Sequence, residues 1–286
     1  MMMGVFACEF MQRALLVGFL GGVTCSVIGV LVIDMNLSFV GVSISHAAFA
    51  GGVIAYFMCI NPLIGALVFS LIAAAAIGPM TDRGEFGLDT SLGIIFTVMI
   101  GLAFLFMGIM SETDRIKVLY LIWGSILTVT DFDLKTIIVA FVLVVGLITV
   151  FYKEIQAVIF NREIALSVGL PASWIFYGIL FLIGITVAGN LQPIGGLLVS
   201  SLIIVPAAAA YQLTYNLKHL FLISAAFGVI SCWLGLLLSY YFALPSGASI
   251  ITLSCLIFLI ANAFSPKRKV KRVKSLREGD NSFGNV

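Results

Sequence analysis

Long apolar segments fill most of this chain, and short polar interruptions separate them. A helix needs about 20 apolar residues to cross a bilayer, and nine segments come close to that length. The pattern predicts about nine membrane-spanning helices, eight to ten in all, because a tenth apolar piece at 118–129 is too short to cross alone and could be a re-entrant or surface helix. The predicted spans are residues 12–33, 39–58, 63–80, 91–110, 134–152, 173–189, 194–213, 220–243 and 247–264.

The composition supports this interpretation. Of the 286 residues, 62% are hydrophobic and only 10% are charged, whereas soluble domains carry about 25% charged residues. A soluble domain with a single membrane anchor is therefore excluded. We expect an all-α, polytopic membrane protein whose transmembrane domain covers residues 1–265.

The basic residues concentrate at the C-terminus. Seven of the fifteen Lys and Arg residues follow residue 265. Basic residues beside a span stay on the cytoplasmic side, so we place the C-terminus and the loop 152–172 in the cytoplasm and, with nine spans, the N-terminus outside. The tail, residues 266–286, is expected to be disordered and attracted to anionic membrane lipid, with no nucleic-acid partner.

A short helix is predicted in the loop between the fifth and sixth spans. In FNREIALSVGLP, Asn161 can cap the helix, Glu163 lies in its first turn, Gly169 ends it and Pro171 stops it. Such a helix, at about 160–171, could dock a soluble partner or lie on the lipid headgroups. The residues alone leave both possibilities open.

His46 lies in the apolar segment GVSISHAAFAGG, near the middle of the second span. Ionisable residues at this depth face the bundle interior or a cavity, and burial keeps an imidazole neutral and able to ligate a metal. The alternative is a histidine bonded to a backbone carbonyl or to a serine of a neighbouring helix.

Two amides precede the seventh span in the segment AGNLQPIGG. Asn190 and Gln192 are expected to cap the helix that follows Pro193, with contact to a transported solute as the alternative.

Six segments in sequence order resemble the metal-ion family of ABC transporter permeases. One of them, GGLLVSSLIIVPAAAA at 195–210, is similar to the family's most characteristic motif. The other five segments are SISHAAFAGG at 43–52, LDTSLGIIFT at 88–97, LIWGSILTVTDFDL at 121–134, FNREIALSVGL at 160–170 and LPSGASIIT at 244–252.

The resemblance implies a type II ABC importer-like permease in the plasma (inner) membrane of a bacterium or archaeon. It implies a divalent zinc, manganese or iron ion as the transported substrate, and no cofactor bound by this chain. The implied partners are a cytoplasmic ABC ATPase dimer, an extracellular or periplasmic metal-binding protein and a second permease copy or a related permease. The chain has no G-x-x-x-x-G-K-[ST] motif, so the ATP-hydrolysing enzyme is expected to be another chain.

The same resemblance assigns roles to individual residues. His46 becomes a ligand on the metal pathway, to which Ser43 could add a neutral oxygen. The FNREIALSVGL segment corresponds to the family's ATPase-coupling segment, in which we carry over Glu163, Ala165 and Gly169.

One position departs from the family pattern. The family has an Asp four residues before the histidine, where this chain has Val42. A carboxylate and an imidazole at that spacing share a helix face and can hold one cation, so the charge must come from elsewhere or the cargo differs. Asp34 is a candidate replacement, although it lies near the membrane edge. The departure keeps open a permease for a metal chelate, such as a siderophore or cobalamin. A secondary transporter is disfavoured because the spans carry almost no carboxylates.

Overall fold

The computed structural model describes residues 9–82, 87–124, 126 and 129–265, and the predicted tail at 266–286 lies outside them. Twelve α-helices form most of the described chain, so the all-α prediction is confirmed. The helices are α1 (Glu9–Asp34), α2 (Val40–Phe57), α3 (Pro62–Asp82), α4 (Leu88–Ile109), α5 (Glu112–Trp123), α6 (Asp131–Val150), α7 (Tyr152–Phe160), α8 (Arg162–Ser167), α9 (Ala172–Ile194), α10 (Gly196–Leu213), α11 (Leu217–Phe242) and α12 (Ser246–Ala263).

Nine helices of the described chain are long and apolar enough to cross a membrane. They are α1 to α4, α6 and α9 to α12, and each overlaps one predicted span. The observed helices extend beyond several predicted ends, because polar residues such as Glu9 and Asp131 continue a helix without being apolar. Hydropathy therefore located the spans but not their exact ends.

Contacts between helix termini show which termini lie at the same end of the bundle. At one end, Arg13 of α1 forms an ion pair of 2.8 Å with Asp131 of α6. At the other, Ser265 donates a hydrogen bond of 2.9 Å to the Gln212 carbonyl, and Met35 packs beside Leu170. We call the end with 35–39, 151–171 and 214–216 the coupling end, and the end with 58–61, 110–124 and 243–245 the opposite end.

Helix α5 corrects the prediction of an apolar helix at 118–129. It starts earlier, at Glu112, because the Ser111 hydroxyl accepts a hydrogen bond from the Asp114 amide at 3.3 Å and caps it. It ends at Trp123, where Gly124 has a φ of 66°. Val118 and Leu121 of α5 are buried in one cluster with residues of α2. The helix is thus a short element packed at the opposite end of the bundle, and it does not span.

Small residues bring α1 close to α10 and α11. A side chain at Gly29 would overlap the backbone of Ile203, and one at Gly22 would meet the backbone of Gly228. The Ser224 hydroxyl of α11 donates to the Ser26 carbonyl of α1 at 2.9 Å. Close approach and buried hydrogen bonds are the means by which helices associate in lipid.

The expected capping by Asn190 and Gln192 is wrong. Helix α9 continues through Pro193 to Ile194, and the next helix starts at Gly196, with Gly195 as its N-cap residue and no side-chain cap. Asn190 instead is buried inside α9, where its amide donates to the Thr186 carbonyl at 2.7 Å.

Candidate functional site

Helix α2 carries His46 and is packed closely against α3. Its sequence is rich in glycine and alanine, and a side chain added at Gly51 or at Gly65 of α3 would overlap the other glycine's backbone. His46 lies six residues after the first residue of α2, about 9 Å along the helix axis. The histidine is therefore held on a span whose neighbours leave it little freedom to move.

The His46 ring has a defined tautomer. Its Nδ1 lies 2.9 Å from the Val42 carbonyl oxygen. Because a carbonyl oxygen only accepts, Nδ1 carries the hydrogen and donates it, which leaves the lone pair on Nε2. Histidine ligands in metal sites are commonly fixed in the same way, by a hydrogen bond from the nitrogen that does not bind the metal.

Helix α4 forms one wall beside His46. The edge-to-face contact between the His46 and Phe96 rings has a centroid distance of 4.7 Å. The imidazole itself is half-buried. One side of the ring is thus packed, and part of it stays accessible to water or to a transported ion.

Ser43 has a structural contact. It is fully buried, and its hydroxyl donates to the Leu92 carbonyl of α4 at 3.0 Å. Only its lone pairs remain for a cation, and they lie in the α2–α4 contact. A metal-binding role for Ser43 stays a prediction without further support.

Within the described residues, His46 is not part of a metal-ligand cluster. In the described chain no three His, Cys, Asp or Glu side chains are placed to hold one metal ion. Val42, at the family's Asp position, is half-buried. Asp34, the suggested replacement, is the last residue of α1 and lies at the coupling end. His46 is therefore a candidate ligand that belongs to no three-residue cluster in the described chain.

The predicted short helix exists as α8, at Arg162–Ser167. The Asn161 side chain caps it by accepting hydrogen bonds from the Glu163 and Ile164 amides, at 2.9 and 3.1 Å. Gly169, with a φ of 87°, turns the chain so that the Leu170 amide reaches the Ala165 carbonyl at 3.0 Å. The predicted start and stop signals are confirmed, because the Asn161 cap and the turn at Gly169 both form.

Helix α8 has an inner and an outer face. Ala165 is buried in a small cluster with Val158 of α7 and Ala172 of α9, so it holds the helix in place and is not itself open to a partner. Glu163 and Gly169 are exposed. The large apolar side chains that stay exposed beside them are Phe160, Ile164, Leu166, Val168 and Trp174.

Arg162 anchors α8 to the start of α9. Its guanidinium donates to the Ser173 hydroxyl at 3.1 Å and lies 5.1 Å from the centre of the Phe176 ring. Helix α7, which the sequence analysis did not separate from the loop, buries Ile155 and Val158 and braces α8 from the other side. Its alternation of apolar and polar residues at helical spacing was the available signal. Helices α7 and α8 and the start of α9 are thus fixed to one another, and we call this part of the molecule the platform.

The nine long apolar helices of the described chain define a polytopic membrane protein. The profile of the ABC 3 transport family matches residues 7–265. The chain belongs to that family.

Named relatives and a solved structure agree with the family. The chain is 34% identical over 266 residues to the manganese transport system membrane protein MntC of Listeria innocua, covering 93% of this chain and 94% of that one. It is 28% identical to the chelated iron transport system membrane protein YfeD of Yersinia pestis, covering 93% and 89%. The structure of PsaBC from Streptococcus pneumoniae in complex with Fab superposes with a TM-score of 0.85 at 27% identity, covering 96% of this chain and 98% of that one.

Proposed function

We propose that this chain is the membrane-spanning permease of an ATP-driven importer for a divalent metal ion, with manganese as its substrate. The family match over residues 7–265 carries the proposal, because it includes all nine spans and the platform around α8. The relatives named for manganese support the choice of ion.

His46 is proposed as the protein's contact with the ion in the pathway. Nε2 offers its lone pair, and the Val42 carbonyl holds the ring in the required tautomer. Because the described residues of one chain place no three His, Cys, Asp or Glu side chains around one metal ion, a second permease copy is expected to complete the pathway. A weakly held ion is suited to transport, which requires release as well as binding.

The platform is proposed to dock a cytoplasmic ATPase. The exposed apolar side chains around Glu163 and Gly169 can be covered by a soluble partner, and the capped helix beneath them transmits a displacement to α9 through Arg162. This proposal places the coupling end in the cytoplasm and the opposite end outside, where a metal-binding protein would deliver the ion.

A permease for chelated iron is the second candidate. The observation that favours it is Val42, which leaves the pathway without the carboxylate that would offset the charge of a bare cation. YfeD is a relative named for chelated iron. Competition between free Mn²⁺ and an iron chelate in one uptake assay separates the two candidates.

The first experiment uses the two histidines of the chain. In liposomes that contain the chain with its ATPase, His46→Ala should lower the rate of manganese uptake at least tenfold and leave basal ATP hydrolysis unchanged. His219→Ala, an exposed histidine at the coupling end, is the control and should transport normally. Equal uptake by the two variants would remove His46 from the mechanism.

The platform is tested with two glutamates. Glu163→Gln should weaken copurification of the ATPase, whereas Glu112→Gln, an exposed first-turn glutamate of α5 at the opposite end, should not. Gly169→Ala should also weaken it, because a residue with a side chain is disfavoured at a φ of 87° by about 1 kcal/mol. ATPase binding that is unchanged in both platform variants would contradict the docking proposal.

The orientation is tested with Cys59, an exposed residue in the loop 58–61. In a Cys8→Ser background, an impermeant thiol reagent should modify Cys59 in intact cells. Cys59→Ser should abolish the labelling. Labelling that requires permeabilised cells would invert the proposed orientation.

A further inference from the structure

A cavity of about 710 Å³ opens between the helices at the coupling end. It lies between α6, α7 and α11, and it reaches α1 behind them. Its deeper wall is apolar and is formed by Val27, Val145, Ile148, Phe221, Leu222 and Ala225. Val27 lies seven residues from the coupling end of α1, so the apolar part reaches about 10 Å into the bundle.

Two lysines stand at the mouth of the cavity. Lys153 and Lys218 both line it and both are exposed. The Lys218 Nζ lies 5.9 Å from the centre of the Tyr152 ring, which orients it towards the mouth. Neither lysine forms an ion pair with a carboxylate of the described chain. Their charges are therefore available to an anion.

One acid shares the mouth. Glu154 lines the same cavity, and one of its carboxylate oxygens is buried without a hydrogen-bond partner. Two lysines and one glutamate give the mouth a net charge of +1. That charge matches a phosphodiester, which carries one negative charge. A headgroup with hydroxyl groups can donate hydrogen bonds to the nearby carboxylate, whereas a headgroup with a second negative charge would repel it.

We infer that this cavity binds a phospholipid with a singly negative, hydroxyl-bearing headgroup, of the phosphatidylglycerol type. The phosphate lies at Lys153 and Lys218, and one acyl chain follows the apolar wall towards Val27. A basic mouth above an apolar slot between membrane helices is the arrangement that holds anionic lipid headgroups. A free phosphate would use the lysines and leave the apolar wall unfilled, which favours the lipid.

The test measures lipid retained by the purified complex of this chain with its ATPase. After delipidation, the complex receives phosphatidylglycerol, phosphatidylethanolamine and phosphatidylcholine with identical acyl chains, and native mass spectrometry counts the bound lipids. We expect phosphatidylglycerol to be preferred over phosphatidylcholine by about fivefold for each lysine. Lys153→Gln/Lys218→Gln should abolish the preference. Lys117→Gln/Lys135→Gln, which removes the same charge at the opposite end, should keep it.

The apolar wall is tested separately. Ala225→Phe fills the cavity and should reduce retention of phosphatidylglycerol, whereas Ala226→Phe on the exposed side of α11 should not. Because both lysine variants alter exposed positions, loss of folding does not obscure the result.

Four outcomes would overturn the inference. Equal retention of the three lipids, or equal retention by wild type and the Lys153→Gln/Lys218→Gln variant, would show only the lipid that surrounds any membrane protein. Displacement by millimolar glycerol 3-phosphate would show a site for a soluble anion. Loss of the ATPase from the double variant with an unchanged lipid preference would assign the lysines to the protein partner.

Discussion

Helices α1 and α4 are similarly apolar, yet they occupy different places in the molecule. In α1, 72% of the apolar stretch is buried, against 22% in α4. Both helices contain glycines, but Gly22 and Gly29 of α1 touch the backbones of α11 and α10, whereas the glycines of α4 at 93, 101 and 108 face open space. Hydropathy reports transfer into lipid, while the fit of small residues decides which helices associate.

The largest difference in stability between α1 and α4 is expected from the addition of a single methyl group. Gly29→Ala places a Cβ against the Ile203 backbone, so α1 and α10 must separate, at a cost of about 1–3 kcal/mol. Gly101→Ala on α4 meets nothing within 4 Å, and it removes a glycine from a helix interior, which is worth up to about 1 kcal/mol. Thermal unfolding in detergent should show a lower midpoint for Gly29→Ala and an equal or higher one for Gly101→Ala. Equal shifts would contradict the contrast.

A buried hydrogen bond gives a smaller effect. Ser224→Ala removes the bond to the Ser26 carbonyl and should cost about 0.6 kcal/mol, the typical value between membrane helices. Thr97→Ala on α4 removes only a bond of 2.8 Å to Gly93 within the same helix. The same unfolding measurement should detect the first substitution and not the second, and the reverse order would refute the assignment of α1 as the inner span.

The smallest expected effect is a pH dependence of stability, which comes from the contact that attaches α5 to the bundle next to α4. The Ser111 hydroxyl, followed by that of Tyr56, donates to Asp114 and lowers the pKa of this carboxyl. A carboxyl with a lowered pKa stabilises the fold above its unfolded value of about 3.9, and this contribution is lost as the pH falls through the folded pKa.

The midpoint of unfolding should therefore drop on acidification below about pH 4, and the drop should be slightly smaller in Tyr56→Phe. Asp114 is only half-buried, so the change is expected to be small. An identical acid profile for wild type and Tyr56→Phe would show that the Tyr56 bond does not contribute.

Structural features that depend on a few neighbouring residues were predicted well from the sequence. Asn161 and Gly169 mark the ends of α8 because capping involves only residues within one turn. The start of α5 at Ser111 was missed because hydropathy ignores the polar first turn. The buried position of Asn190 in α9 and the bond from Ser43 to Leu92 depend on which helices become neighbours. No local pattern encodes that pairing.

The orientation of the His46 ring depends on its hydrogen bond to the main-chain carbonyl oxygen at position 42 and not on the side chain there. Any amino acid with a normal helical backbone supplies the same acceptor. Valine at this position can thus be exchanged for an acid without turning the imidazole. Mutation at this position can therefore change the affinity for the ion without changing the orientation of the imidazole.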